Sequence, residues 1–184
     1  MAYYLVDLSD IPYPHSMGMR DRIKDGQVIR SNCPLALTTL RRRAGQSSSW
    51  SPGQAGYREL FTDATLTASR KGCDVHQGDW AVVLPAVSSF LEPFPASGDT
   101  DTIARAAREE AHFDSLTKDD RRLALALLSY TDALRIYLNG QGNLETIGQH
   151  RICWARTAGV PALPLWFDER SPRPPRTAEL LQRG

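Results

Sequence analysis

Lysine is scarce in this chain. Of 22 basic residues among 184, only Lys24, Lys71 and Lys118 are lysines, and the rest are arginines. That bias reads first as the mark of a GC-rich genome and only second as phosphate binding, where a planar guanidinium has the advantage. Cysteine is scarce too. Cys33, Cys73 and Cys153 are odd in number and widely spaced, which excludes a disulfide framework and a Cys-x-x-Cys metal pair and fits a reducing cytoplasm. Cys73 and His76 make a single Cys-x-x-His, but no second ligand pair has matching spacing, so zinc is not expected there. No run approaches the roughly 20 apolar residues of a membrane span. The opening Met-Ala-Tyr-Tyr-Leu-Val-Asp has neither a charged n-region nor a long apolar core. The expectation is a soluble, cytoplasmic protein with no membrane partner. A net charge of only +1 also argues against a generally basic nucleic-acid binder.

What is present suits one globular domain. The length supports a single sizeable core, and 41% hydrophobic content is enough to fill it. Charge is uneven: Arg20–Arg43 carries seven basic and two acidic residues, while Glu92–Asp120 carries eight acidic and three basic. The two patches either pair internally or steer a charged ligand. Tyr3–Leu8 reads as a strand closed by Pro12 and Pro14. Asp25-Gly26 reads as a turn, and Pro34–Arg43 and the Tyr57–Leu66 stretch as helices. Asp79–Leu91 fits either a buried strand or a helix capped by Asp79. Ile103–His112 and Lys118–Tyr130 read as helices, the latter with Thr117 as N-cap and Asp119-Asp120 favourable in its first turn. Arg135–Leu138 and Leu144–Ile147 flank a turn-rich linker suited to a β-hairpin. Ser171–Arg176 is Pro/Arg-rich and reads as extended or disordered, within a tail over 171–184 expected to be disordered.

The stretch from Leu144 to Phe167 carries the chemistry. A short β-run, Leu144–Ile147, meets Gly148, then Gln149-His150-Arg151, then a helix-like segment to Gly159 and an apolar strand, Pro161–Phe167. Glycine at a strand-to-helix turn lets backbone pass close to a ligand, and free N–H groups at a helix start attract anions. Gly148, Gln149, His150 and Arg151 therefore form a candidate phosphate cradle. The alternative is that Gly148 only relieves a turn and Arg151 pairs with a carboxylate. Glu145 either faces the cleft, where it could hold Mg²⁺ or accept a proton, or is a solvated strand carboxylate. Arg156 contacts either solvent or a substrate acid.

This stretch resembles the strand-Gly-x-(His/Arg)-Arg-helix-Gly-strand box of the ParB/sulfiredoxin-like superfamily, with Ala155, Gly159 and Val160-Pro161…Pro164 at matching places. The opening Tyr4-Leu-Val-Asp-Leu-Ser-Asp-Ile-Pro-Tyr-Pro is similar to that superfamily's first strand and turn. The resemblance implies an α/β fold of α+β type, a small mixed sheet shared by Tyr3–Leu8 and the strands around Arg135–Ile147 and Ala162–Phe167, within a single domain over 1–170 split by a large helical insertion at about 20–130. It implies a nucleotide (ATP, ADP or CTP) with Mg²⁺. It also brings Asp7, Asp10, His15 and Arg20 near the nucleotide, with Asp10 or Glu145 as catalytic base and His15, Arg20 and Arg156 as substrate contacts. Gln149 stands where sulfiredoxins have their reactive cysteine and partition proteins a glutamate, so neither of those activities is expected.

Some members of the superfamily phosphorylate free serine without a DNA-binding module, and this chain is similar in lacking one. The function this implies is a nucleotide-dependent enzyme, transferring a phosphoryl group to a small hydroxyl-bearing metabolite or hydrolysing the nucleotide. The alternatives are a nucleotide-sensing regulator of DNA or a protein partner, and a biosynthetic enzyme using the fold for other chemistry. No sequence-specific DNA binding is expected.

Overall fold

The computed structural model describes residues 1–11, 22–24, 27–29, 78–138 and 144–184. Among these residues seven strands and five helices follow in chain order. They are β1 (Ala2–Asp7), β2 (Arg22–Lys24), β3 (Gln27–Ile29), α1 (Trp80–Leu91), α2 (Thr100–Glu109), α3 (Ala111–Asp114), α4 (Lys118–Leu127), β4 (Arg135–Leu138), β5 (Leu144–Ile147), α5 (Gln149–Ala158), β6 (Ala162–Phe167) and β7 (Glu179–Leu180). The class is α+β, as expected, but every pairing among the described strands is antiparallel, so the sheet is not mixed. Asp25-Gly26 and the helices expected at 34–43 and 57–66 lie outside the described residues.

The central sheet has the order β6-β1-β7. β1 runs antiparallel to β6 from Ala2↔Phe167 to Asp7↔Ala162. Tyr3, Val6, Leu163, Leu165 and Trp166 from these strands join the core with Trp80, Val83 and Val87 of α1 and Leu123, Ala124 and Leu127 of α4. β4 and β5 form the expected hairpin, with Arg135↔Ile147 and Leu138↔Leu144. They were expected in one sheet with β1 and β6 but form their own, tied to the central sheet by Trp166 N–H donating to Leu134 O at 2.8 Å. Pro164 supplies the reason. It stands two residues before Trp166, where the next donor on that strand edge would be, and proline has none to give.

Asp79–Leu91 resolves as helix because Asp79 caps it, accepting from Ala81 N–H at 2.8 Å, and because Trp80, Val83, Ala86, Val87 and Leu91 are buried at helical spacing. Pro85 inside α1 is exposed, so the carbonyl its missing N–H leaves unpaired is on the solvent side. Thr117 caps α4 as expected, its hydroxyl accepting from Asp120 N–H at 3.2 Å. The segment expected as a disordered tail is ordered instead. β7 pairs with β1, and the buried Gln182 accepts from Tyr3 N–H at 2.7 Å and donates to Pro95 O at 2.7 Å. A two-residue strand carries too little pattern to read from sequence, and its order comes from these long-range bonds.

Candidate functional site

The turn from Ile147 into α5 is built as the sequence suggests. Gly148 has φ +83°, the left-handed region that glycine enters without strain. A side chain there would run into Leu134 and lie 3.3 Å from Arg151 Nη2, so the close packing also requires glycine. Gly148 O accepts the first helical bond, from Ile152 N–H at 3.0 Å. Gly148 has no side chain to cap the helix, and among the described residues no helical or side-chain cap partner meets the first-turn N–H groups of Gln149, His150 and Arg151. Two further polar atoms at the turn, Thr146 Oγ1 and His150 Nδ1, are buried with no hydrogen-bond partner among the described residues. The Gln149 side chain turns back, donating to Thr146 O at 3.4 Å.

Arg151 has a structural partner. Its Nη1 donates to Ala126 O at 3.1 Å, while Tyr3 Oη donates to Leu127 O at 3.1 Å, so two carbonyls of the last turn of α4 are satisfied from outside the helix. That turn has no basic residue of its own, and a guanidinium there complements the helix dipole. Burial holds the Arg151 guanidinium below its usual pKa, an effect opposed by Asp132 and Tyr3. The carboxylate partner considered from sequence is thus replaced by a carbonyl. The other face of the guanidinium lies against Gly148.

Asp10 is not brought to this turn. Leu8 N–H donates to Pro161 O at 2.8 Å, and Arg156 Nη2 donates to Ile11 O at 2.7 Å, which sets the opening turn at the C-terminal end of α5. Gly148 is at the other end of the ten-residue helix, about 15 Å away at 1.5 Å per residue. The Asp10 carboxylate instead accepts from Thr177 Oγ1 at 2.8 Å. Asp10 therefore cannot act as a base on a phosphate held at Gly148, and Arg156 holds backbone at the far end of α5. Asp7 accepts from the amide and hydroxyl of Ser9, which lower its pKa. His15, Arg20, Cys73, His76 and the Glu145 side chain lie outside the described residues. The β5 backbone sets Glu145 opposite Tyr137, three residues before Gly148.

A cavity of about 230 Å³ opens elsewhere, lined by Met1, Asp99, Asp101, Tyr130, Trp166 and Asp168 among others, and it includes none of the site residues expected from sequence. Among the described residues no cluster of three or more His, Cys, Asp or Glu could hold a metal ion, and no helix is long and apolar enough to cross a membrane. No family model, no curated protein and no solved structure matches the chain.

Proposed function

We propose that this domain binds the phosphate of a small molecule, a nucleotide by preference, at the turn from Thr146 to Arg151. One observation carries the reading: α5 starts at a left-handed glycine with no side-chain cap, beside two buried polar atoms, Thr146 Oγ1 and His150 Nδ1, that have no partner among the described residues. Buried polar groups are nearly always hydrogen-bonded, and an anion at a helix start satisfies N–H donors in the direction the helix dipole favours. In this scheme the amides of Gln149 and His150 grip the phosphate, the His150 side chain adds a hydrogen bond, and Arg151 supplies positive field while its Nη1 stays on Ala126.

The enzymatic form of the proposal is phosphoryl transfer to a small hydroxyl compound, in the manner of the ParB/sulfiredoxin-like proteins the box resembles. Mg²⁺ would neutralise the phosphates and Glu145 would be the base, since Asp10 is about a helix length away. Positioning and electrostatics would supply most of the rate.

Thermal and chemical denaturation with inorganic phosphate, ATP, ADP and CTP, each with and without Mg²⁺, tests binding. A ligand at a hundred times its Kd raises stability by about 2.7 kcal/mol. At least one of the four should stabilise the chain, and Gly148→Ala should abolish that stabilisation. Equal behaviour with and without every one of them would overturn the proposal.

A further inference from the structure

The 230 Å³ cavity lies where the start of α2, the residues after α4 and the end of β6 meet. Trp166 stands opposite Tyr3 in the β6–β1 register, with the two rings 4.9 Å apart, and alternation sets Asp168 on the same face two residues on. Trp166 and Asp168 both line the cavity. Trp166 is only 1% exposed, and its indole N–H is buried with no acceptor among the described residues. An indole nitrogen donates and cannot accept, and buried donors are nearly always paired. The cavity wall therefore carries a donor in need of an acceptor.

Four carboxylates complete the lining, and two of them are already engaged. Asp99 caps α2, accepting from the N–H groups of Asp101 and Thr102, both at 3.3 Å. Asp168 accepts from Arg170 N–H at 2.9 Å and Ser171 Oγ at 3.2 Å, and pairs with Arg135 at 3.6 Å. Asp101 and Glu169 are exposed, and their side chains have no partner among the described residues. Arg135 offsets Asp168, and Arg170 offsets one further charge, so the lining side chains keep two negative charges in excess. The carboxylates do not converge as metal ligands do: no three His, Cys, Asp or Glu among the described residues could hold a metal ion.

We propose that this cavity binds a small organic ammonium ion that also carries a neutral hydrogen-bond acceptor, an amino amide or an amino alcohol. The ammonium has three donors to share between Asp101 and Glu169, and the carbonyl or hydroxyl oxygen accepts from the Trp166 indole N–H. Each neighbouring ligand class leaves something unmet. A plain alkylammonium leaves the indole donor unpaired, which costs more than the bond itself would add. A zwitterionic amino acid or a phosphate brings an anionic oxygen into a lining already rich in negative charge. The volume sets the size. It is below the roughly 300–1,000 Å³ of sites for drug-sized ligands, so the ligand has only a few heavy atoms. None of the residues of the Gly148 turn lines this cavity, and the charge it favours is the opposite one, so the inference is independent of the phosphate reading.

The test follows the Trp166 indole N–H resonance of the ¹⁵N-labelled full chain at about pH 6.5, where an α-amino group is protonated. The probes are glycinamide, ethanolamine, propylamine, glycine and magnesium chloride. One or both of glycinamide and ethanolamine should move the resonance saturably. Propylamine, which lacks the acceptor, and glycine, whose acceptor is charged, should bind at least about tenfold more weakly. The double variant Asp101→Asn with Glu169→Gln should weaken binding by at least about tenfold while its circular dichroism stays native, because both side chains are exposed and unpaired among the described residues. A resonance moved by neither glycinamide nor ethanolamine would overturn the proposal. So would unchanged affinity in the double variant, or binding of propylamine, glycine or Mg²⁺ as tight as that of the better amine.

Discussion

Two helix starts in this molecule are built in opposite ways. At the start of α4, Thr117 and Asp120 hydrogen-bond reciprocally, and the nearly buried Asp120 carboxylate also accepts from Asp79 N–H at 2.6 Å, tying the start of α1 to the start of α4. At the start of α5 the N-cap Gly148 makes no side-chain cap bond, and Thr146 Oγ1 and His150 Nδ1 are buried without partners among the described residues. A folded chain gains by satisfying buried polar groups, and α4 shows that this sequence can do so fully. On the proposed reading the open donors of α5 face a ligand, whereas α4 is scaffold.

The sharpest way to break the contrast is to damage each start in turn. Asp120→Ala removes an acceptor from Asp79 N–H and Thr117 Oγ1 and should cost about 3 kcal/mol in urea denaturation, since bonds to a charged group are worth roughly 1.5–3 kcal/mol each. Its affinity for phosphate or nucleotide should be unchanged wherever the protein remains folded. An Asp120→Ala protein of native stability would mean that the α4 start is not the scaffold described.

Gly148→Ala comes next. The left-handed backbone and the approach of Leu134 should together cost about 2 kcal/mol, and the distorted turn should lose its anion. Stability is read from the same denaturation curves and binding from calorimetry. Loss of stability with full retention of affinity would separate Gly148 from the cradle.

Tyr3→Phe should have the smallest effect, about 1 kcal/mol at neutral pH, from the lost bond to Leu127 O. Burial pushes the Tyr3 hydroxyl above its usual value of 10, with Arg135 and Arg151 pulling the other way. The folded state thus holds this proton more tightly than the unfolded chain. The stabilisation is whole below about pH 10 and is lost as the pH rises toward the folded value. The gap between native protein and Tyr3→Phe should therefore close on alkaline titration, and a gap that widens above about pH 10 would contradict the assignment.

The features legible in the sequence were local ones. Thr117 announces a helix start because a cap acts within three residues, Asp79 offered one only beside a strand reading, and Gly148 announces a turn because few residues accept positive φ. The hairpin of β4 and β5 follows from its alternation and its turn-rich linker. What escaped was long-range. Asp120 reaches Asp79 across 41 residues, and Arg151 reaches Ala126 across 25; nothing in sequence spacing marks either partner. Asp10 looked close to Gly148 only through the resemblance, and the antiparallel register of β1 with β6 sends it to the other end of α5. The Pro/Arg-rich segment that looked loose is held by equally distant partners, β7 on β1 and Thr177 on Asp10.

Amide chemical shifts of the ¹⁵N-labelled full chain, followed while ATP with Mg²⁺ and then inorganic phosphate are added, test the central claim most directly. The account predicts that the largest shifts fall on Gln149, His150 and Arg151, with Gly148 following, and that the first-turn amides of α4 near Asp120 stay still. Shifts gathered around Trp166 and Asp168 at the 230 Å³ cavity, or no shifts at the Gly148 turn at saturating ligand, would contradict it.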